Sequence, residues 1–393
     1  MKYNVKKFLY PAMVLNAFFV AILLRREFYT PDTPCYVRGA RLFFGLPGGE
    51  DCDFRILKPL PLIFPGLLEK ATGIEAQYGF LIQNLIFYFP TCLLIFEIIR
   101  MVFKDEWQAF WGGLIFITAP PLLLYGLAYQ TDMPGWFFEI IGIYATLRLF
   151  DKLTERALHP LFIGFILGIG FLWKESAMAG VVFFSVYVLI TELPAKQKWA
   201  LWLYAALGFL IPVLVSSVIV YHHSHYTFWS WYRYQSSKPL GDDYHVVRFI
   251  QEAVRTFHIS WILLVVGLFR FLRVYLEDQI DTDEMRFLLA SGATLLLWPI
   301  WPYPSNRIFY LSAPFLASIA SYGTRVFGEK RGSILVVLAG VFNFAVMALW
   351  SACGTRGLVY VLGVIFSAIM IWWAKAKPQG SLEVPIKCMG GRR

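Results

Sequence analysis

The chain has 393 residues, of which 58% are hydrophobic and 16% charged, with a formal net charge of +9. The apolar residues come in long runs, which excludes a soluble globular domain. The basic excess follows the membrane topology set out below and leaves no nucleic-acid footprint.

The first apolar run, residues 8–24, is flanked by Lys2, Lys6 and Lys7 and by Arg25 and Arg26. No small-residue cleavage pattern follows it, so it reads as a retained anchor. Further runs lie at 79–99, 109–125, 134–150, 161–173, 177–192, 201–221, 257–276, 287–303, 307–323, 334–352 and 357–374. At about 20 residues per span these predict an all-α polytopic membrane protein of about twelve transmembrane helices. The 161–173 and 177–192 pair is short enough to be partly re-entrant. Residues 1–374 form one membrane domain, and Pro378, Gly380, Gly390 and Gly391 mark 375–393 as a disordered cytoplasmic tail.

Basic residues concentrate in short cytoplasmic loops. With the N-terminus inside, the short outside loops hold only Lys174, Arg307 and Arg356. Both termini are therefore expected in the cytoplasm, and the compact layout suggests a bacterial inner membrane. Two outside segments are long. The first, 26–78, carries a short helix from Tyr36 ended by Gly45 and then a proline-rich stretch, 57–65, suited to lying in the interface. The second, 222–256, is rich in Trp, Tyr and His; its aromatics fit a headgroup belt or a platform for sugar rings. Cys35 and Cys52 share the first segment, where an oxidising compartment permits a disulfide; two unpaired small residues are the alternative.

The sharp polar features fall on one side. Asp32 follows the first span, Asp132 opens the fourth with Glu139 inside it, Lys174 and Glu175 join the fifth and sixth, and Arg307 opens the tenth. Ionisable groups at such positions are usually paired or functional. The alternative for Asp32 is a loop aspartate capping the next helix, by itself or through Thr33. One chemistry fits the whole set: a sugar moved from a polyprenyl phosphate to an acceptor hydroxyl. A carboxylate takes the acceptor proton, and cations hold the departing phosphate. No general acid is obligatory, so half of the two-carboxylate scheme of inverting glycosidases suffices. Asp32 is the candidate base, and Lys174 and Arg307 are the candidate phosphate ligands. Asp132 and Glu175 would bind sugar hydroxyls, orient the acceptor or hold a divalent ion.

Five passages carry a resemblance: Pro31-Asp32-Thr33-Pro34-Cys35-Tyr36 with Gly39-Ala40-Arg41-Leu42; Lys58-Pro59-Leu60-Pro61-Leu62; Thr131-Asp132-Met133-Pro134 with Tyr144 to Arg148; Gly164 to Glu175; and Asn306 to Pro314. In succession they resemble the multi-span GT-C glycosyltransferases, in the branch of the dolichyl-phosphate-mannose protein mannosyltransferases and the lipid A aminoarabinose transferase. The resemblance implies a polyprenyl-phosphate sugar donor in the bilayer and maps the catalytic aspartate onto Asp32. It maps the lysine ending a Gly-rich span onto Lys174 and a late arginine onto Arg307. Tyr36 and Arg41, in the Asp32 passage, become candidates for binding sugar or acceptor. Two features depart from many members: Thr33 follows Asp32 where they carry an acidic pair, and the large soluble C-terminal domain that some of them use for acceptors is not expected here. The acceptor is accordingly open among protein, lipid and glycan.

His222, His223 and His225 are the only histidine cluster and the weak candidates for a divalent metal. No cofactor is certain, no nucleotide-phosphate loop is present, and no nucleophile elbow supports a Ser/His/Asp hydrolase. A transporter or lipid flippase is the competing class, but its ionisable groups and broken helices belong near mid-membrane in matching halves. An oligosaccharide polymerase or ligase would rely on Arg233, Arg248 and Arg255 in the second long segment.

Overall fold

The computed structural model describes residues 5–52, 54–153, 156–237, 246–277, 282–300, 305–327 and 329–353, and among them all regular structure is helical. The first run is α1 (Lys6–Leu23), followed by α2 (Thr33–Phe43) and α3 (Leu60–Thr72) in the first long segment. Pro61 opens α3 in its first turn, where a missing N–H costs nothing. That is why the proline-rich stretch is a helix: its buried Pro61, Leu62, Pro65 and Gly66 pack it between α2 and the following helix.

The next helix, α4 (Ala76–Phe103), is 28 residues, about 42 Å at 1.5 Å per residue, ample for a hydrocarbon core of about 30 Å. Lys104 ends it in the left-handed conformation, and Asp105 caps α5 (Glu106–Ile117) through the Trp107 and Gln108 amides. The 109–125 run is not one span: the Ala119-Pro120-Pro121 sequence breaks it, and α6 (Pro120–Tyr125) starts anew. Then come α7 (Asp132–Leu149), α8 (Leu158–Trp173), α9 (Met178–Leu189) and α10 (Ala195–Ser224). Glycine lets α8 and α10 touch, because a Cβ at Gly164 or Gly208 would collide with the partner helix's backbone. The outer face of α10, with Leu203, Leu207, Leu214 and Val218 about half exposed, is apolar and faces lipid.

The described part of the second long segment is largely helical. It contains α11 (Phe228–Ser237) and α12 (Val246–Phe257), and α12 runs through a short turn into α13 (Trp261–Leu276). Its charged residues alternate with apolar ones at helical spacing, so average hydropathy hides it. The chain continues through α14 (Thr282–Gly292), α15 (Leu297–Ile300), α16 (Asn306–Phe309), α17 (Ala313–Val326) and α18 (Glu329–Cys353). Phe249 of α12 packs on Phe309 at 4.9 Å, and Glu252 accepts from the Asn306 amide at 3.2 Å, which docks α12 on α16.

Among the described residues, Ala76–Phe103, Ala195–His222, Val247–Leu276 and Arg331–Leu349 are long and apolar enough to cross a membrane. Lys7–Leu23, Leu158–Trp173 and Glu175–Leu189 are shorter apolar helices. The chain is an integral membrane protein of several such helices. The expected span at 357–374 and tail at 375–393 lie outside the described residues.

Candidate active site around Asp32

Asp32 stands at the N-terminus of α2 but makes no capping bond; the Thr30 amide donates to Thr33 Oγ1 at 2.9 Å instead. The Asp32 carboxylate is therefore free to face other elements. Arg307 Nη1 approaches its Oδ2 at 3.0 Å and Arg55 Nη2 its Oδ1 at 3.4 Å. Arg307 also reaches Gln130 Oε1 at 3.4 Å and Asp132 Oδ2 at 3.7 Å. Asp132, in the first turn of α7 where the helix dipole favours a carboxylate, pairs with Lys174 at 3.4 Å. Beside this set, Lys58 and Glu175 form a close ion pair.

Tyr36 is the hub beneath these charges. Its buried hydroxyl accepts from Arg55 Nη1 at 2.8 Å, Lys174 Nζ at 3.0 Å and Thr131 Oγ1 at 3.0 Å. Lys174 arrives there because α8 ends at Trp173 and the chain turns extended. Gly135 on α7 leaves it room, since a Cβ at that position would lie 2.7 Å from Lys174 Cβ. Arg55 is delivered by two devices. Phe54 takes a left-handed conformation, its ring packed on Tyr226 and Tyr234 of the second long segment. Cys35 and Cys52 are disulfide-bonded, tying the first turn of α2 to the turn that carries Arg55.

Among the described residues, the cations Arg55, Lys58, Lys174 and Arg307 gather around the carboxylates of Asp32, Asp132 and Glu175. Burial raises the Asp32 pKa, but Arg307, Arg55 and Lys174 outweigh it and hold the group below its ordinary range. Glu175 is likewise held well down, burial being outweighed by Lys58 and Lys174. Lys174 stays charged: burial disfavours its cation, yet Asp132, Tyr36 and Glu175 together raise its pKa. Burial also works against ionisation of Tyr36, but Arg55 and Lys174 lower its pKa overall. The site thus presents an ionised carboxylate next to an anion-receptive cluster of cations.

A crystal structure of ArnT from Cupriavidus metallidurans bound to undecaprenyl phosphate shares the fold, with a TM-score of 0.54 at 15% identity over 91% of this chain and 75% of that one. The sequence profile of the dolichyl-phosphate-mannose-protein mannosyltransferase family matches residues 69–221. The chain resembles the GT-C glycosyltransferases of the protein mannosyltransferase and ArnT branch. An Archaeoglobus fulgidus oligosaccharyltransferase, in complex with Zn and sulfate, matches with a TM-score of 0.50 at 17% identity, covering 91% of this chain and 53% of that one. No curated protein matches by sequence. At these identities the shared property is the fold. The profile match covers Asp132, Lys174 and Glu175 of the charged cluster and leaves out Asp32, Arg55, Lys58 and Arg307.

Of the residues singled out by sequence, the structure gathers Asp32, Tyr36, Asp132, Lys174, Glu175 and Arg307. Arg41 goes elsewhere: its Nε and Nη2 fork onto Glu69 at 2.9 Å, and Glu69 also accepts from the Ala76 amide. A guanidinium engaged in this way clamps α2 to α3 and to the start of α4. His222 and His225 are exposed at the end of α10, and the His223 side chain lies outside the described set. Among the described residues, no three His, Cys, Asp or Glu side chains converge in a way that would hold a metal. Arg255 pairs with Glu252, and Arg233 lies over the Trp229 ring. Arg55 and Gln130 were not singled out by the sequence, and Lys58 was quoted there without a role. The signal for Arg55 was its position three residues after Cys52.

Proposed function

We propose that this protein transfers a sugar from a polyprenyl-phosphate donor to an acceptor hydroxyl on the extracytoplasmic face, with inversion at the anomeric carbon. The observation that carries the reading is Asp32 held ionised between two arginines within a cluster of cations. Asp32 takes the proton of the acceptor hydroxyl as its oxygen bonds to the anomeric carbon. The bond from that carbon to the phosphate oxygen breaks, and the polyprenyl phosphate leaves with the electron pair. Arg307 and Lys174 hold the departing phosphate, helped by Arg55 and Lys58. Asp132 keeps Lys174 and Arg307 aimed, and Glu175 does the same for Lys58.

An apolar groove of about 360 Å³ lies between α8, α9 and α10, with Met178, Val181, Leu167 and Phe209 among its walls. It begins three residues past Glu175, where the tail of a lipid-linked donor would leave the cation cluster, and this supports a lipid-phosphate donor over a soluble one. The acceptor, whether protein, lipid or glycan, meets the site from the outer aqueous side in a bacterial inner membrane, with both chain termini cytoplasmic.

The test is release of polyprenyl phosphate from polyprenyl-phosphate pentoses and hexoses by the purified protein in nanodiscs, with the anomeric configuration of any product read by NMR. Acceptor-dependent release with inversion is expected. Retention of configuration would exclude Asp32 as a simple base, and no release from any such donor would exclude the reading.

A further inference from the structure

Arg307 stands in a four-residue helix, α16, whose N-cap residue, Ser305, makes no capping bond. The leading N–H groups of a helix have no partner within it and must find one elsewhere. For the Asn306 amide, next in the chain to Arg307, that partner is Glu252 of α12, whose Oε2 accepts at 3.2 Å from 54 residues away. Glu252 is suited to a fixed contact. Its side chain is 12% exposed, and its Oε1 pairs with Arg255 one turn on. Both oxygens are thus engaged, and the carboxylate is held in one orientation.

The other end of α16 is fastened by different groups. Phe309 packs on Phe249 at 4.9 Å and on Trp298 at 4.5 Å, and the hydroxyl of the following Tyr310 donates to the Phe116 carbonyl at 2.8 Å. None of these contacts uses the Glu252 carboxylate. Losing that carboxylate would leave the segment docked by its rings while freeing its first residues, and Arg307 is among them. From there the guanidinium passes over the Tyr125 ring, 5.6 Å away, to reach Asp32 at 3.0 Å and Asp132 at 3.7 Å. Misplacing such a group by about 1 Å is costly. We propose that Glu252 is a positioning residue: through the Asn306 amide it sets the start of α16, and so the point from which Arg307 reaches Asp32 and the departing phosphate. The inference deepens the transferase reading and rests on it, in that Arg307 must bind phosphate. It gives α12, in the second long outside segment, a part in the site.

The test is affinity for undecaprenyl phosphate, titrated onto the full chain in nanodiscs. Glu252→Ala should weaken binding about tenfold, the scale of a lost hydrogen bond to a charged group, with thermal unfolding little changed. Glu252→Gln keeps an oxygen at the same reach and should stay within about threefold of wild type. Glu252→Asp keeps the charge but falls one methylene short, so it should weaken binding as alanine does. If the alanine variant does not fold, the order of these two decides. In an Arg307→Ala background, Glu252→Ala should have no further effect, because residues acting through one contact are not additive. A merely structural Glu252 would instead lower stability and weaken binding equally in both backgrounds. Wild-type affinity in folded Glu252→Ala beside a weak Arg307→Ala, additive losses, or an aspartate variant that binds better than the glutamine one would each overturn this inference alone. Unchanged affinity in Arg307→Ala, or no binding by the wild type, would overturn the phosphate site and this inference with it.

Discussion

Arg307 Nη1 lies 3.0 Å from the Asp32 carboxylate, across 275 residues of sequence. A carboxylate bound to a guanidinium is a weak base, so the pair as it stands is a resting arrangement. A donor phosphate competes for the same guanidinium. Drawing Arg307 away would raise the proton affinity of Asp32 when a hydroxyl is ready to be deprotonated.

The first expectation concerns that exchange. Arg307→Ala should weaken donor binding by about 10- to 100-fold, the scale of a lost charged hydrogen bond. Arg307→Lys should recover only part of it, because an ammonium lacks the two-pronged guanidinium contact. Donor affinity measured by titration on the purified variants checks this. Normal affinity in a folded Arg307→Ala protein would remove the residue from the phosphate site.

The pH dependence follows from the same contacts. Burial raises the Asp32 pKa, but Arg307, Arg55 and Lys174 place it below its ordinary value, which is about 3.9. Because the folded value is below the unfolded one, ionised Asp32 stabilises the protein above about pH 4, and that contribution fades as pH falls through the folded value. kcat/KM reports the free enzyme. Its acid limb should therefore lie below about pH 4 in the wild type, to the extent the protein survives there, and move upward in Arg307→Ala. An acid limb near neutrality that ignores Arg307 would assign the titration to another group.

Tyr36 offers a test of positioning. Tyr36→Phe removes the oxygen that accepts from Arg55, Lys174 and Thr131, leaving three donors without that partner. Turnover should drop about tenfold or more, with the protein still extracted and folded, since the ring itself is retained. By contrast Glu69→Gln should lower thermal stability and leave donor affinity near wild type, because Glu69 anchors Arg41 and the start of α4. The opposite pattern in the two variants would reverse their roles.

The disulfide gives another. Cys35→Ala with Cys52→Ala opens a link spanning 17 residues, a loop for which chain entropy predicts about 3 kcal/mol. It also frees the turn carrying Arg55. Reductant should lower wild-type turnover and have no effect on the double variant. Turnover equal in oxidised and reduced protein would show that the segment holds its place without the bond.

What the sequence could show depended on where each residue sits. Asp32, Asp132, Lys174 and Arg307 stand at the edges of apolar runs, where a charge is conspicuous, and they were readable. Arg55 and Gln130 lie in polar stretches where a charge or amide attracts no notice, and only the bond at Cys52 and the packing of Phe54 bring Arg55 to Asp32. Arg41 follows Asp32 by two and a half turns, and its ion pair with Glu69 was not legible in the sequence. The helical character was evident from the runs, but two boundaries were not. Pro120-Pro121 broke one run, and α12 was concealed by its own alternation of polar and apolar residues.

The central claim is that Asp32 is the base, and turnover together with donor affinity in Asp32→Asn tests it most directly. Asparagine keeps the size and the hydrogen-bonding oxygen but not the basicity. Turnover should fall by about 100-fold or more, the usual scale for loss of a general base. Donor affinity should hold or rise, since Arg307 and Arg55 are released toward phosphate. Asp132→Asn, measured alongside, should be milder if that residue only orients Lys174 and Arg307. Near-normal turnover in Asp32→Asn with an inactive Asp132→Asn would contradict the account and move the base to Asp132.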